Sequence, residues 1–230
     1  MYRRPLSSGF GKPQAASAEA PTPRAKPLKR PLQARAKFTV QAIYDAFVRI
    51  WRSDGWGGLT TRAVALETGV SVGTLYDYFP SKDALLSGYV RHCMDTLLQA
   101  IEAQAVQASG LTWRQRVQTL VRLSCGVRAP ELPWFDPEML LLEARIAEPK
   151  HHRRVHDELL AAWTRVLDAC DDLAPRPKPA TVQALHLAVW GGRRYGLLVK
   201  LSQPEAAEWA LEMERVCVAA LQGGAAGLQS

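Results

Sequence analysis

Apolar residues return every three or four positions along most of this chain, and nowhere do they alternate with polar ones over the length of a strand. The pattern predicts a run of helices and an all-α fold. The first spans about residues 35–54, with Phe38, Ala42, Ala46, Phe47, Ile50 and Trp51 on one face, and Gly55, Gly57 and Gly58 end it. A helix over about residues 82–108 carries Leu85, Leu86, Tyr89, Val90, Cys93, Leu97 and Ile101. Residues 111–127 follow with Trp113, Val117, Leu120, Val121 and Ser124 inward. The run RAPELPWFDP, residues 128–137, breaks the period with three prolines. Residues 137–148 are apolar on most sides, which predicts a buried helix. An amphipathic helix over 151–172, a PRPKP linker at 175–179, and two last helices over 180–201 and 204–222 complete the pattern.

Residues 60–82, TTRAVALETGVSVGTLYDYFPSK, read as helix, sharp turn, helix. Thr60 is suited to cap the first helix, although Ala63 stands where a full capping box has Glu. Gly69 supplies the left-handed residue of a tight exit. Ser71 caps the second helix, whose Leu75 and Phe79 share a buried face. Ser81 caps the long helix that follows. A short second helix with small and polar residues near its N-terminus suits a DNA major groove.

Here a resemblance enters. Thr60, Gly69-Val70-Ser71, Gly73-Thr74-Leu75-Tyr76, Tyr78-Phe79 and Ser81-Lys82 resemble the DNA-binding domain of TetR-family transcriptional regulators, over about residues 37–86. The resemblance implies that Thr60, Arg62, Tyr76, Tyr78 and Lys82 meet phosphates, that Val72, Gly73, Thr74 and Asp77 face base edges, and that Ser71 also belongs to the DNA-binding positions. Asp77 departs from the aromatic or His that is frequent there. It can accept from a cytosine amino group or repel phosphate. Core packing is the competing reading of Tyr76, and a solvated charge that of Lys82.

Charge sharpens the picture. Residues 1–37 hold nine Lys/Arg against Glu19 alone, whereas the rest of the chain has a net charge of −1. Residues 1–34 have six prolines and no apolar period, and read as a disordered basic arm. Two uses stand side by side: salt-dependent phosphate contacts, or a solvated tail from an over-long gene start. No run reaches the eighteen apolar residues of a membrane span, no signal peptide is visible, and the four cysteines lack metal-ligand spacing. A cytoplasmic protein with reduced thiols is expected.

By resemblance the body is a helical bundle with a pocket for a small-molecule effector. Trp113, Trp134, Phe135, Trp163 and Trp190 are candidate lining residues, with Trp134 and Phe135 as a gate. Arg128, Arg145 and His186 are candidate polar anchors. Each of the aromatics equally suits a core. His152 and His156 share a helical face with His151 near by, but Arg153 and Arg154 repel a cation, so no metal and no cofactor are expected. The E-x-x-H of Glu148 and His151 is disrupted by Pro149. No catalytic motif is present.

The expected organisation is a basic arm (1–34), a helix-turn-helix domain (35–82), a ligand-binding and dimerisation domain (83–223) and a frayed C-terminus (224–230). Also by resemblance, residues 180–222 pair two chains into a homodimer, with Gly191, Gly192 and Gly196 allowing close approach across the contact. The function expected is a regulator binding a near-palindromic operator in double-stranded DNA, a repressor released by its effector. An activator, a DNA-binding protein of the same fold without a small ligand, and an all-α enzyme are the alternatives.

Overall fold

A computed structural model describes residues 34–223, and among these it is all-helical. The helices are α1 (Ala34–Gly58), α2 (Thr61–Thr68), α3 (Val72–Tyr78), α4 (Lys82–Ile101), α5 (Trp113–Cys125), α6 (Pro137–Ile146), α7 (Pro149–Asp168), α8 (Pro179–Leu198) and α9 (Gln203–Gly223). The basic arm and the C-terminal residues 224–230 lie outside the described residues.

Two apolar cores form. Ile43 and Phe47 of α1, Leu59, Val64 of α2, Leu75 of α3, Phe79, and Leu85 and Leu86 of α4 close the head core with almost no exposure. Leu97 and Ile101 of the same α4 enter the body core beside Leu120, Leu123, Leu159, Trp163 and Val189. Twenty helical residues span roughly 30 Å, enough for one helix to serve both cores. Beyond Ile101 the ladder loosens into a π-helical stretch, Glu102–Val106, so the α-helix ends earlier than the apolar period alone indicates.

Local caps set the helix starts. Thr60 Oγ1 accepts from the Ala63 amide, Ser71 Oγ from the Thr74 amide and Ser81 Oγ from the Ala84 amide, each at 3.0 Å. Gly69 leaves α2 at φ 76°, in the left-handed region. The first helix runs on to Gly58, across a break at Gly55. Glu148 and His151 make a helix start, not half of a metal site: the Glu148 amide donates to His151 Nδ1 at 3.2 Å, with Pro149 in the first turn.

Two expectations are corrected. Helix α6 is not buried all round; Met139 alone is fully buried, and Leu141 is 58% exposed. Met139 enters the head core, with Trp134, Phe135, Leu142 and Ile146 packed against it, so the segment that holds the expected gate residues also braces the head. Gly192 permits a close approach inside the chain, because a Cβ there would stand 2.5 Å from the Trp209 ring of α9. Part of the face expected at a dimer contact is likewise internal: Leu185, Val189 and Leu221 are buried within one chain, and Tyr195, Leu198, Leu211 and Val216 are exposed.

Candidate nucleic-acid interface and body cavity

Helix α3 is held against the head by Leu75 and by Phe79 at its end. Its other side is open. Val72, Gly73, Tyr76 and Asp77 are exposed, and Thr74 and Tyr78 are partly buried. Tyr76 is 44% exposed, which removes core packing as its explanation. Its hydroxyl shares a hydrogen bond of 3.2 Å with Thr61 Oγ1, joining α3 to the start of α2. Thr60 and Arg62 are exposed on the same α2 N-terminal turn, where the helix dipole favours an anion. Ser71 and Thr74 pair their hydroxyls at 2.8 Å, so the first turn of α3 is preset. Tyr78 packs partly on the head core and keeps its remaining surface outward.

Lys82 is not a solvated charge. Its ammonium lies 3.9 Å over the Trp56 ring and donates to the Trp56 carbonyl, tying α4 to the end of α1. Burial lowers its pKa, and Asp83 and Glu138 oppose that shift.

In the body, a cavity of about 370 Å³ opens between α4, α7, α8 and the loop before α6. Phe135 and Trp190, two of the expected lining residues, border it. Trp134 and Arg128 border a neighbouring space of about 600 Å³, to which Phe135 also contributes. Trp113, Trp163, Arg145 and His186 border neither. Trp113 and Trp163 are core residues, the Trp113 amide accepted by the Asp172 carboxylate, and Arg145 is exposed. His186 is buried with its ring 5.9 Å from Trp163 and 5.3 Å from His156, and burial pushes its pKa down to about 4.

The polar lining comes from residues that sequence reasoning passed over. Arg193, Arg194, Glu143, His152 and His156 face the first cavity. Glu143 takes up Arg194 at 3.6 Å and His152 at 3.5 Å, and His156 lies 3.0 Å from the Asp157 carboxylate. The histidines were visible in the sequence as a pair four residues apart, read there as a solvated or hydrogen-bonding cluster. Arg193 carried no local signal.

An exposed recognition-type helix preset by a capped turn, on a compact three-helix head joined to a helical body, defines a helix-turn-helix DNA-binding transcription regulator. Residues 43–88 match the family model of bacterial regulatory proteins of the tetR family. The HTH-type transcriptional regulator BetI of Rhizobium meliloti is 30% identical over 139 residues, 57% of this chain and 67% of that protein. The nucleoid occlusion factor SlmA of Escherichia coli is 34% identical over 80 residues, 35% of this chain and 40% of that protein. A TetR transcription regulator from Haloarcula marismortui shares the fold at a TM-score of 0.56 and 17% identity, over 81% of this chain and 98% of that one. A SmeT–triclosan complex does so at 0.50 and 16%, over 78% and 90%. The chain belongs to the TetR family of transcriptional regulators. It is a DNA-binding regulator, not an enzyme, and no helix among the described residues is long and apolar enough to cross a membrane.

Proposed function

We propose that the protein is a homodimeric repressor that leaves its operator when a small molecule occupies the body cavity. The observation that carries this reading is Phe135, which lines the cavity and packs against the head core. A molecule pressing on Phe135 acts on the surface that braces the head. Two recognition helices fit a duplex only near one helical turn apart, ~34–36 Å, or a multiple of it. A small displacement of each head then costs affinity, provided the ligand binds the displaced state more tightly.

In this reading Val72, Gly73, Thr74 and Asp77 face base edges, and Thr60, Arg62, Ser71, Tyr76 and Tyr78 meet phosphates. Lys82 positions the end of α1 and reaches phosphate only by leaving Trp56. The exposed Tyr195, Leu198, Leu211 and Val216 supply the dimer face within residues 180–222. The head ends and the body begins along α4. That the SmeT fold is seen with triclosan supports a cavity of this kind as a ligand site.

The test is binding to DNA from immediately upstream of the protein's own gene, against scrambled DNA, over a salt series. A specific complex of two chains per site, lost in Tyr78→Ala, supports the reading. Equal binding to scrambled DNA that vanishes on deleting residues 1–34 overturns it in favour of the basic tail. The second reading is a DNA-binding protein of the same fold without small ligand, and a nucleoid occlusion factor is among the proteins similar to this chain. Specific DNA binding that no cavity ligand alters would select it.

A further inference from the structure

Arg193 is partly buried on α8 and pairs with no carboxylate among the described residues. Its neighbours are the Ser124 carbonyl at 3.4 Å, the Trp190 ring at 5.1 Å, and Gly126, where an added Cβ would stand 2.9 Å from a guanidinium nitrogen. Gly126 ends α5 in the left-handed region at φ 69°, so the same glycine that closes the helix makes room for the guanidinium. The next residue differs. Arg194 already faces the Glu143 carboxylate, which also takes up His152.

Among the described residues, the cavity therefore contains a compensated charge cluster at Glu143 and an uncompensated cation at Arg193. Arg193 stands on the wall shared by both body spaces, together with Leu132, Pro133, Phe135 and Leu197. Val90, Met94, Leu97 and Leu140 line the cavity with apolar surface, and Cys93 and His156 are its other polar residues. A cation partly shielded from water beside apolar walls favours an anionic partner, and a guanidinium fork matches a carboxylate in particular.

We infer that the effector of this protein is an apolar carboxylate, whose tail fills the cavity between α4 and α8 and whose carboxylate is held by Arg193. This rests on the proposed ligand-binding role of the cavity. It adds the chemical class of the ligand and the anchoring residue. Ligand charge is read by Arg193, and Arg194 serves to hold Glu143 and the α6–α7 wall.

The test is calorimetric titration of the full-length protein with dodecanoate, 1-dodecanol and dodecyltrimethylammonium, each below its micelle concentration. Dodecanoate should bind at least about tenfold more tightly than the alcohol, as expected for one charge-assisted pair. Arg193→Gln should remove that preference and leave alcohol binding within about twofold, which also shows that the variant is folded. Arg194→Gln should keep the preference. If Arg193→Gln loses alcohol binding too, Arg193→Lys decides: it keeps the positive charge, so a retained preference supports the inference and a lost one overturns it. Alcohol or cation binding as tight as dodecanoate overturns the anionic class and leaves the ligand-binding reading intact. Binding of none of the three overturns both.

Discussion

The Tyr89 hydroxyl, on α4, donates to the backbone carbonyl of Trp134 at 2.5 Å. Arg52 of α1 stands 5.1 Å over the Trp134 ring. The loop before α6 is thus fastened to two head helices at one residue, while its neighbour Phe135 faces the cavity. Tyr89→Phe removes the donor and leaves the carbonyl without it, a loss of about 1–3 kcal/mol. Urea unfolding should show that loss. In the same variant, ligand binding should shift DNA affinity less than in the parent protein.

Met139 tests whether α6 braces the head. Its side chain is fully buried in the head core, so Met139→Ala should cost about 2–5 kcal/mol. Leu141→Ala, on the same helix but 58% exposed, should stay within about 0.5 kcal/mol. Equal urea midpoints for the two variants would contradict the packing described.

Ser71 presets the recognition helix through the Thr74 amide and hydroxyl. Ser71→Ala should lower stability by about 1 kcal/mol, and Ser71→Gly by less. Operator affinity, measured at one salt concentration, should fall in both, because Thr74 loses its hydroxyl partner at the surface proposed to face bases.

His186 links stability to pH. Its ring is buried, its Nε2 has no hydrogen-bond partner among the described residues, and burial lowers its pKa from 6.5 to about 4. Above pH 6.5 the imidazole is neutral in both states and costs nothing. Between about 6.5 and 4 the unfolded chain takes up the proton and the folded chain does not, so stability falls as pH falls. The loss levels off below about pH 4, at no more than about 3 kcal/mol from this group. Urea unfolding at several pH values should show a shallower slope in that window for His186→Gln.

The head was legible because its determinants are local. Thr60, Ser71 and Ser81 bond to amides three residues ahead, and Gly69 answers for its own φ. Such signals sit within a single turn of helix, where sequence order is spatial order. The apolar period likewise identified Leu75, Phe79, Leu97 and Trp163 as inward-facing. Trp113, Trp163 and His186 could not be sorted between cavity and core, since both environments select the same residue types. Trp134 and Phe135 share one proline-rich break, and only the structure separated them, with Phe135 alone on the first cavity.

By itself, then, the sequence determined the helices, their caps, the outward face of α3 and the family. Only the tertiary structure decided that Met139 belongs to the head core, that Gly192 makes room for Trp209 within the chain, and that Lys82 is held by Trp56. It also decided that, among the described residues, Arg193 meets no carboxylate while Arg194, one residue on, has Glu143. Each of these pairings joins residues from different elements. No interval along the chain encodes them, because the partners come together only when separate apolar faces are buried against one another.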